Sequence, residues 1–373
     1  MQEHWKQVTE PKFLLLSSLE RVEEVFVLQT TRTTAFVETL AQIVPQTGAK
    51  LTPIPFEAFS HDVWMQDTVE IGRNVVWKNG TLQQEPAVLC GLRGKHTPEN
   101  PYHTALDSHI ENYFSERNAH LIHTGEPREG THWIDWFGNL EVSPPVTDSA
   151  GNAFPFGRVL VGAQGERGMH PDVLAFLEAQ GLQTPPVVVD TSWLVIGHID
   201  EVVNFIPSAQ PPGFKVLLPS PTTARKVLEQ TTAQNKGNAL CFFGTSEECT
   251  VEALLHNVAN SEESRAIDTK IAETQSLLCK ELGITEADFV LLPALFKAGA
   301  SLIPNPVNCL VCNGHLIVPH PNGAMIDGED CFIQTMRSLL APLPLHFVDI
   351  WDSYHVLLGE VHCGTNALRH FEL

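Results

Sequence analysis

Cys363 stands in Gly359-Glu-Val-His-Cys363-Gly-Thr-Asn366, between a histidine and small or polar residues. A structural cysteine usually lies among aliphatic side chains and is inert there. A thiol at the end of a β-like run with these neighbours is expected to be exposed and approachable. On spacing alone two readings stay open, a nucleophile or an ordinary loop thiol. Three other segments set polar groups in apolar surroundings: Trp64-Met-Gln66-Asp67-Thr-Val-Glu70-Ile-Gly72, Trp136-Phe137-Gly-Asn139-Leu140-Glu141, and Gly197-His198-Ile-Asp200-Glu201. His198 and Asp200 are two apart, which on a strand turns both side chains to one face. Carboxylates in apolar runs are costly unless paired. The partner of Asp67 and Asp200 is then either an internal Arg or Lys or a cationic substrate. A planar guanidinium offers donors that two carboxylates can grip in paired hydrogen bonds. One cysteine, one histidine and two acids are what hydrolysis at a guanidinium carbon needs.

The elements that must position these groups alternate between short β-rich runs and amphipathic helices. Strands are predicted at 13–16, 24–28, 158–162, 187–190, 215–218, 240–243, 289–292, 309–311 and 315–318. Helices are predicted at 34–43, 170–180, 222–230, 264–282 and 330–340, each with apolar residues three and four apart. Pro207, Pro211, Pro212, Pro219 and Pro221 punctuate the strands around them. No linker or low-complexity tract divides the chain, so a single α/β domain over 1–373 is expected. The spacing suggests a propeller-like or layered repeat rather than a doubly wound nucleotide fold. No Gly-rich phosphate loop follows a strand, and GxSxG, HExxH and kinase motifs are missing. No nucleotide or redox cofactor is therefore expected.

The 44 acidic and 23 basic residues give a formal net charge of −21, which repels nucleic acid and attracts cationic ligands. No apolar run reaches 18 residues and no signal peptide opens the chain, so neither a membrane span nor secretion is expected. Eight scattered cysteines favour free thiols in a reducing, cytoplasmic compartment; the glycosylation pattern Asn79-Gly-Thr81 points weakly the other way. Cys309-x-x-Cys312 lies in an apolar run without a second pair and reads as structural, and His315, His320 and His355 read as loop or surface residues.

From about residue 20 onward the chain resembles the peptidylarginine deiminases (protein-arginine deiminases). The matching stretches are 64–72, 197–201, 359–366 and Phe137-Gly-Asn-Leu-Glu-Val-Ser-Pro-Pro-Val-Thr147, with weaker ones at 281–288 and 304–311. It looks like the family's catalytic domain without the two immunoglobulin-like domains of the vertebrate members. The resemblance implies the pentein fold, five ββαβ modules around a pseudo-fivefold axis, and conversion of arginine in peptides or proteins to citrulline and ammonia. It implies Cys363 as nucleophile, His198 as general acid and base, Asp67 and Asp200 as guanidinium clamp, and Trp64 against the substrate's aliphatic stem. It also implies a Ca²⁺ site from Gln66, Glu70 and Glu141 with the carbonyls of Phe137 and Leu140, a set whose oxygen chemistry suits that ion. The family's second ion site looks dismantled, with Thr68 at its first acid and Cys90-Gly-Leu-Arg-Gly94 at its downstream stretch. Arg93 and Lys95 lie where the family grips the substrate backbone with an arginine, and a solvated loop arginine is the other reading of Arg93. Leu357 and Leu358 are apolar where vertebrate members are basic. The alternatives are a deiminase of free arginine or agmatine, a Cys-His peptidase, and an acidic module that binds cationic proteins.

Overall fold

In the structure, a computed structural model, residues 2–56, 62–94, 104–130 and 132–371 are described. The fold is mixed α/β, and one plan recurs five times among these residues. Two antiparallel strands are followed by a helical crossover to a third strand, which lies parallel to the second. Val69–Lys78 and Thr81–Cys90 form the longest such ladder, and helix Thr104–Glu116 leads on to His120–Ile122. Glu141–Val142, Val159–Gln164, helix Pro171–Gln180 and Val187–Asp190 repeat the plan. So do Asn204–Pro207, Phe214–Ser220 and Phe289–Pro293, here with the long helices Pro221–Ala233 and Glu262–Leu282 in the crossover. The next unit is Leu310–Cys312, His315–Pro319, helix Cys331–Leu340 and Leu345–Val348. The last is closed by distant parts of the chain. Thr365–His370 pairs antiparallel with Arg21–Gln29, which runs through helix Thr34–Ile43 to the parallel strand Lys50–Pro55.

Local sequence explains the helices. In Glu262–Leu282 the buried positions Ile267, Ile271, Thr274, Leu278 and Leu282 follow three- and four-residue steps. Ser261 caps the N-terminus by accepting from Ser264 N, and Gly283 ends the helix at φ +63°. Asp330 caps Cys331–Leu340, accepting from Phe332 N and Ile333 N. The parallel strands are apolar on both faces because helices cover them, as at Val216, Leu217 and Leu218. All eight cysteines are free. No helix among the described residues is long and apolar enough to cross a membrane.

Several expectations shift. The 64–72 run is not one strand: Met65–Thr68 is a single helical turn that precedes Val69–Lys78. His198 and Asp200 do not share a strand face either, since Ile199–Glu201 is a 3₁₀ turn. Only Leu240–Cys241 of the 240–243 segment is strand, because Phe242 turns at φ +55°.

The side chain of Asn139 fastens three of these parts together. Its Nδ2 donates to the carbonyls of Ile134 (2.9 Å) and Gly162 (3.0 Å), and its Oδ1 accepts from Gly162 N (2.6 Å) and Ile199 N (3.1 Å). All of this is buried, so removing the amide strands backbone groups out of water. Asn139→Ala is expected to lower unfolding stability by about 3 kcal/mol or more, read from denaturant midpoints at unchanged m-value.

Candidate active site

The first strand of each unit is preceded by a turn or loop, and these five segments carry the chemistry. Asp67 lies in Met65–Thr68, Gly138 and Asn139 in Phe137–Asn139, and Asp200 in Ile199–Glu201 just after His198. Asn305 and Asn308 precede Leu310–Cys312, and Cys363 precedes Thr365–His370. Hydrogen bonds join the segments in a closed ring. Gly138 N donates to Asp67 Oδ1 (3.1 Å), and Ile199 N to Asn139 Oδ1 (3.1 Å). Asn305 Nδ2 donates to Glu201 O (2.7 Å). Asn308 Oδ1 accepts from His362 N (3.0 Å) and Cys363 N (3.2 Å), and Gln66 N donates to Cys363 O (3.1 Å).

Cys363 is buried, not exposed as its polar neighbours suggested, and it stands before a strand rather than at the end of one. Its Sγ accepts from Asn308 Nδ2 at 3.1 Å and lies 3.4 Å from Asp200 Oδ2. Burial, then Asp200 and Asp67, push its pKa well above the usual thiol value and favour the thiol form. Asp200 Oδ2 is also 2.9 Å from His362 Nδ1, whereas Asp200 Oδ1 is buried without a hydrogen-bond partner. Asp67 lies 3.6 Å from His198 Nδ1; burial, with a further push from Asp200, raises its carboxyl to about 6. His198 Nε2 is 2.6 Å from the carbonyl of Trp133.

Cys363, Asp67 and His198 line one pocket with Trp64, Trp136 and Leu358. The backbone lets Trp64 close over Cys363, because a Cβ on Gly359 would fall 2.4 Å from the indole. Arg93 is neither at this pocket nor solvated. Its guanidinium is buried, donating to both carboxylate oxygens of Asp62 (2.8 and 3.0 Å) and to Asp107 (2.8 Å), 5.5 Å from the Trp136 ring. Lys95 lies outside the described residues. His355 is buried too, bonded to Glu360 Oε1 at 2.9 Å rather than on the surface.

A second cavity, behind the cysteine turn, is lined by Gln66, Glu70, Leu140, Glu141 and His362. Gln66 Nε2 donates to Glu70 Oε2 and, at 3.4 Å, to the carbonyl of Phe137. The five oxygen-bearing residues named from the sequence are thus brought together. Burial and the charge of Glu141 drive the Glu70 carboxyl well above its ordinary value, and burial with Asp200 raises Glu141 to about 7. Burial opposes charge on His362 as well, but Glu141 and Asp200 outweigh it and hold the imidazole up to about 9. Glu141 Oε1 lies 3.3 Å from its Nε2, so His362 links the two cavities. His362, Asn308, Asn139 and Gly138 carry no role on sequence grounds alone. Each lies inside or beside a motif that the sequence singles out, which is the available signal.

Residues 11–372 match the family model described as Protein-arginine deiminase (PAD). The chain belongs to the protein-arginine deiminase family. Similar relatives include human protein-arginine deiminase type-3, 36% identical over 93% of this chain and 52% of that protein. Mouse protein-arginine deiminase type-4 is 34% identical over 96% of this chain and 54% of that protein. The chain therefore spans about half the length of the curated relatives it matches. Among solved structures, an agmatine deiminase of Enterococcus faecalis aligns with TM-score 0.56 at 12% identity, covering 95% of each chain. The C. jejuni agmatine deiminase aligns with TM-score 0.52 at 13% identity, over 97% of this chain and 98% of that one. The fold is thus that of the pentein deiminases of the protein-arginine deiminase kind.

Gly138 leaves no room for a side chain beside the His198–Asp67 pair. A Cβ there would stand 2.4 Å from His198 Nδ1 and 2.9 Å from Asp67 Oδ1. In Gly138→Ala the imidazole and carboxylate must separate. The variant is expected to lose about 1–3 kcal/mol of unfolding stability, read from denaturant midpoints.

Proposed function

We propose that this chain hydrolyses the guanidinium of arginine in peptides or proteins, giving citrulline and ammonia. The observation that carries this is a pair of buried carboxylates beside a buried thiol, with Asp200 Oδ1 left unpartnered. A guanidinium supplies the missing donors, and burial makes the paired contact strong. The five units are read as modules around a pseudo-fivefold axis, with this pocket at the shared centre.

In the proposed sequence, Asp67 and Asp200 hold the guanidinium, and Trp64 packs against the arginine's aliphatic stem. The bound cation offsets the two charges that keep Cys363 protonated, so the thiol passes its proton to His198 and the thiolate forms as substrate arrives. Sulfur attacks the central carbon, and His198 gives a proton to the departing ammonia, leaving a thiouronium. His198 then takes a proton from the water that attacks the same carbon. Collapse expels the sulfur, which takes back the hydroxyl proton, and leaves the neutral ureido group while His198 gives its proton to ammonia. Asn308 Nδ2 steadies the developing charge on sulfur in both steps.

Among the described residues, no lysine or arginine lines this pocket. A free amino acid would leave its carboxylate without a cation, which favours a peptide-borne arginine. Agmatine has no carboxylate, so an agmatine deiminase is the second reading, in keeping with the fold neighbours. Gln66, Glu70, Glu141 and the carbonyls of Phe137 and Leu140 fit a hard cation, because two buried carboxylates there repel each other. Bound Ca²⁺ would supply positive charge that neutralises this cavity.

The direct test gives the protein a blocked arginine ester, free arginine and agmatine, and assays ureido product. Product from the ester, lost about 10³-fold or more in Cys363→Ser, supports the proposal; product from free arginine or agmatine alone overturns the peptidyl reading. With Asp67 at about 6, kcat/KM is expected to rise as pH climbs through that value. The cation site has its own signature. Glu141 is raised from 4.5 to about 7, so the folded state holds an extra proton and metal-free stability falls as pH rises across that window. The Tm gained with Ca²⁺ over chelator should therefore grow between pH 4.5 and 7. A gain that stays flat or vanishes would remove the cation from the scheme.

A further inference from the structure

We propose that Cys90, Glu111 and His123 form a second metal site, for a soft divalent cation of the Zn²⁺ type. Their ligand atoms all lie within 4.8 Å of one another, and no other group of His, Cys, Asp or Glu among the described residues is so arranged. The three come from successive parts of one unit: the end of strand Thr81–Cys90, helix Thr104–Glu116, and the residue after strand His120–Ile122. The parallel pairing of Leu89 with Ile122 brings Cys90 and His123 side by side, and the crossover helix lays Glu111 over them. Thiolate, imidazole and carboxylate together suit Zn²⁺ and not the hard cation of the oxygen-lined cavity.

Around a tetrahedral ion such ligands stand roughly 3.3–3.8 Å apart, so closure requires shifts of about 1 Å. Glu111 is half-buried and His123 exposed, and both can make that adjustment by side-chain rotation; Cys90 is the buried anchor. The exposed side leaves room for water as fourth ligand. Binding forms the metal–sulfur bond and expels the thiol proton to solvent. The site also abuts the catalytic turn: Cys90 is paired with Val69, and Gly91 N donates to Thr68 O at 3.0 Å, one residue from Asp67. A metal there ties helix and strand end to the segment that holds Asp67.

The test titrates Co²⁺ into metal-stripped full-length protein carrying Cys363→Ser, so that the catalytic thiol contributes nothing. The expected result is one equivalent bound, with a near-ultraviolet thiolate-to-cobalt absorption that Zn²⁺ bleaches. Cys90→Ser on that background should abolish the band. His123→Ala, an exposed change that leaves the fold intact by circular dichroism, should weaken binding about tenfold or more. Absence of the band at excess Co²⁺, or a band unchanged in both variants, would overturn the proposal.

Discussion

The constraint on which the rest of this structure depends is negative charge held away from water. Asp67, Glu70, Glu141, Asp200, Glu201 and Glu360 are packed into the turns and strand starts around Cys363. Ionised carboxylates do not collect in a low-dielectric interior by default, because each loses its hydration and repels the next. The fold answers with fixed donors: Gly138 N for Asp67, His198 N for Glu201, Asn305 N and His355 for Glu360, His362 for Asp200 and Glu141. The account is left short at Asp200 Oδ1 and Glu360 Oε2, which have no partner. Under the proposed function, that shortfall at Asp200 is what a substrate cation fills.

Arg93 illustrates how the same interior holds a cation of its own. Its ion pairs with Asp62 and Asp107 use the planar fork of the guanidinium on carboxylates, the geometry proposed for substrate a short distance away. There the pairing is satisfied from within, and it backs the Trp136 wall of the pocket. Arg93 is thus a buried structural guanidinium, as Arg73, Arg158 and Arg369 also are.

Much of this was legible in the sequence, and the illegible part has a physical pattern. Amphipathic spacing located Glu262–Leu282 and Cys331–Leu340 well, because a helix on a sheet repeats its buried face regularly. The motif residues Cys363, His198, Asp67 and Asp200 do meet, although the strand-face argument for His198 and Asp200 fails on a 3₁₀ turn. Periodicity says nothing about turns, and the site is built from turns. The burial of Cys363, Arg93 and His355 is hidden for a related reason: local polarity suggests exposure, while burial is decided by which other segments pack against the residue. Asn139 and Asn308 were unreadable as hubs since an asparagine's worth lies in the backbone groups that the whole fold presents to it.

The closed ring of turns has a consequence for where the catalyst resides. Every unit lends it something, Asp67 from one, Gly138 and Asn139 from the next, then His198 with Asp200, then Asn308, and finally Cys363 beside the strand that pairs back to Arg21–Gln29. No unit owns a working fraction of the site. A fragment that kept most of its helices and sheets would still lack the pocket, since the constellation is a property of closure and has no smaller carrier than the complete circuit.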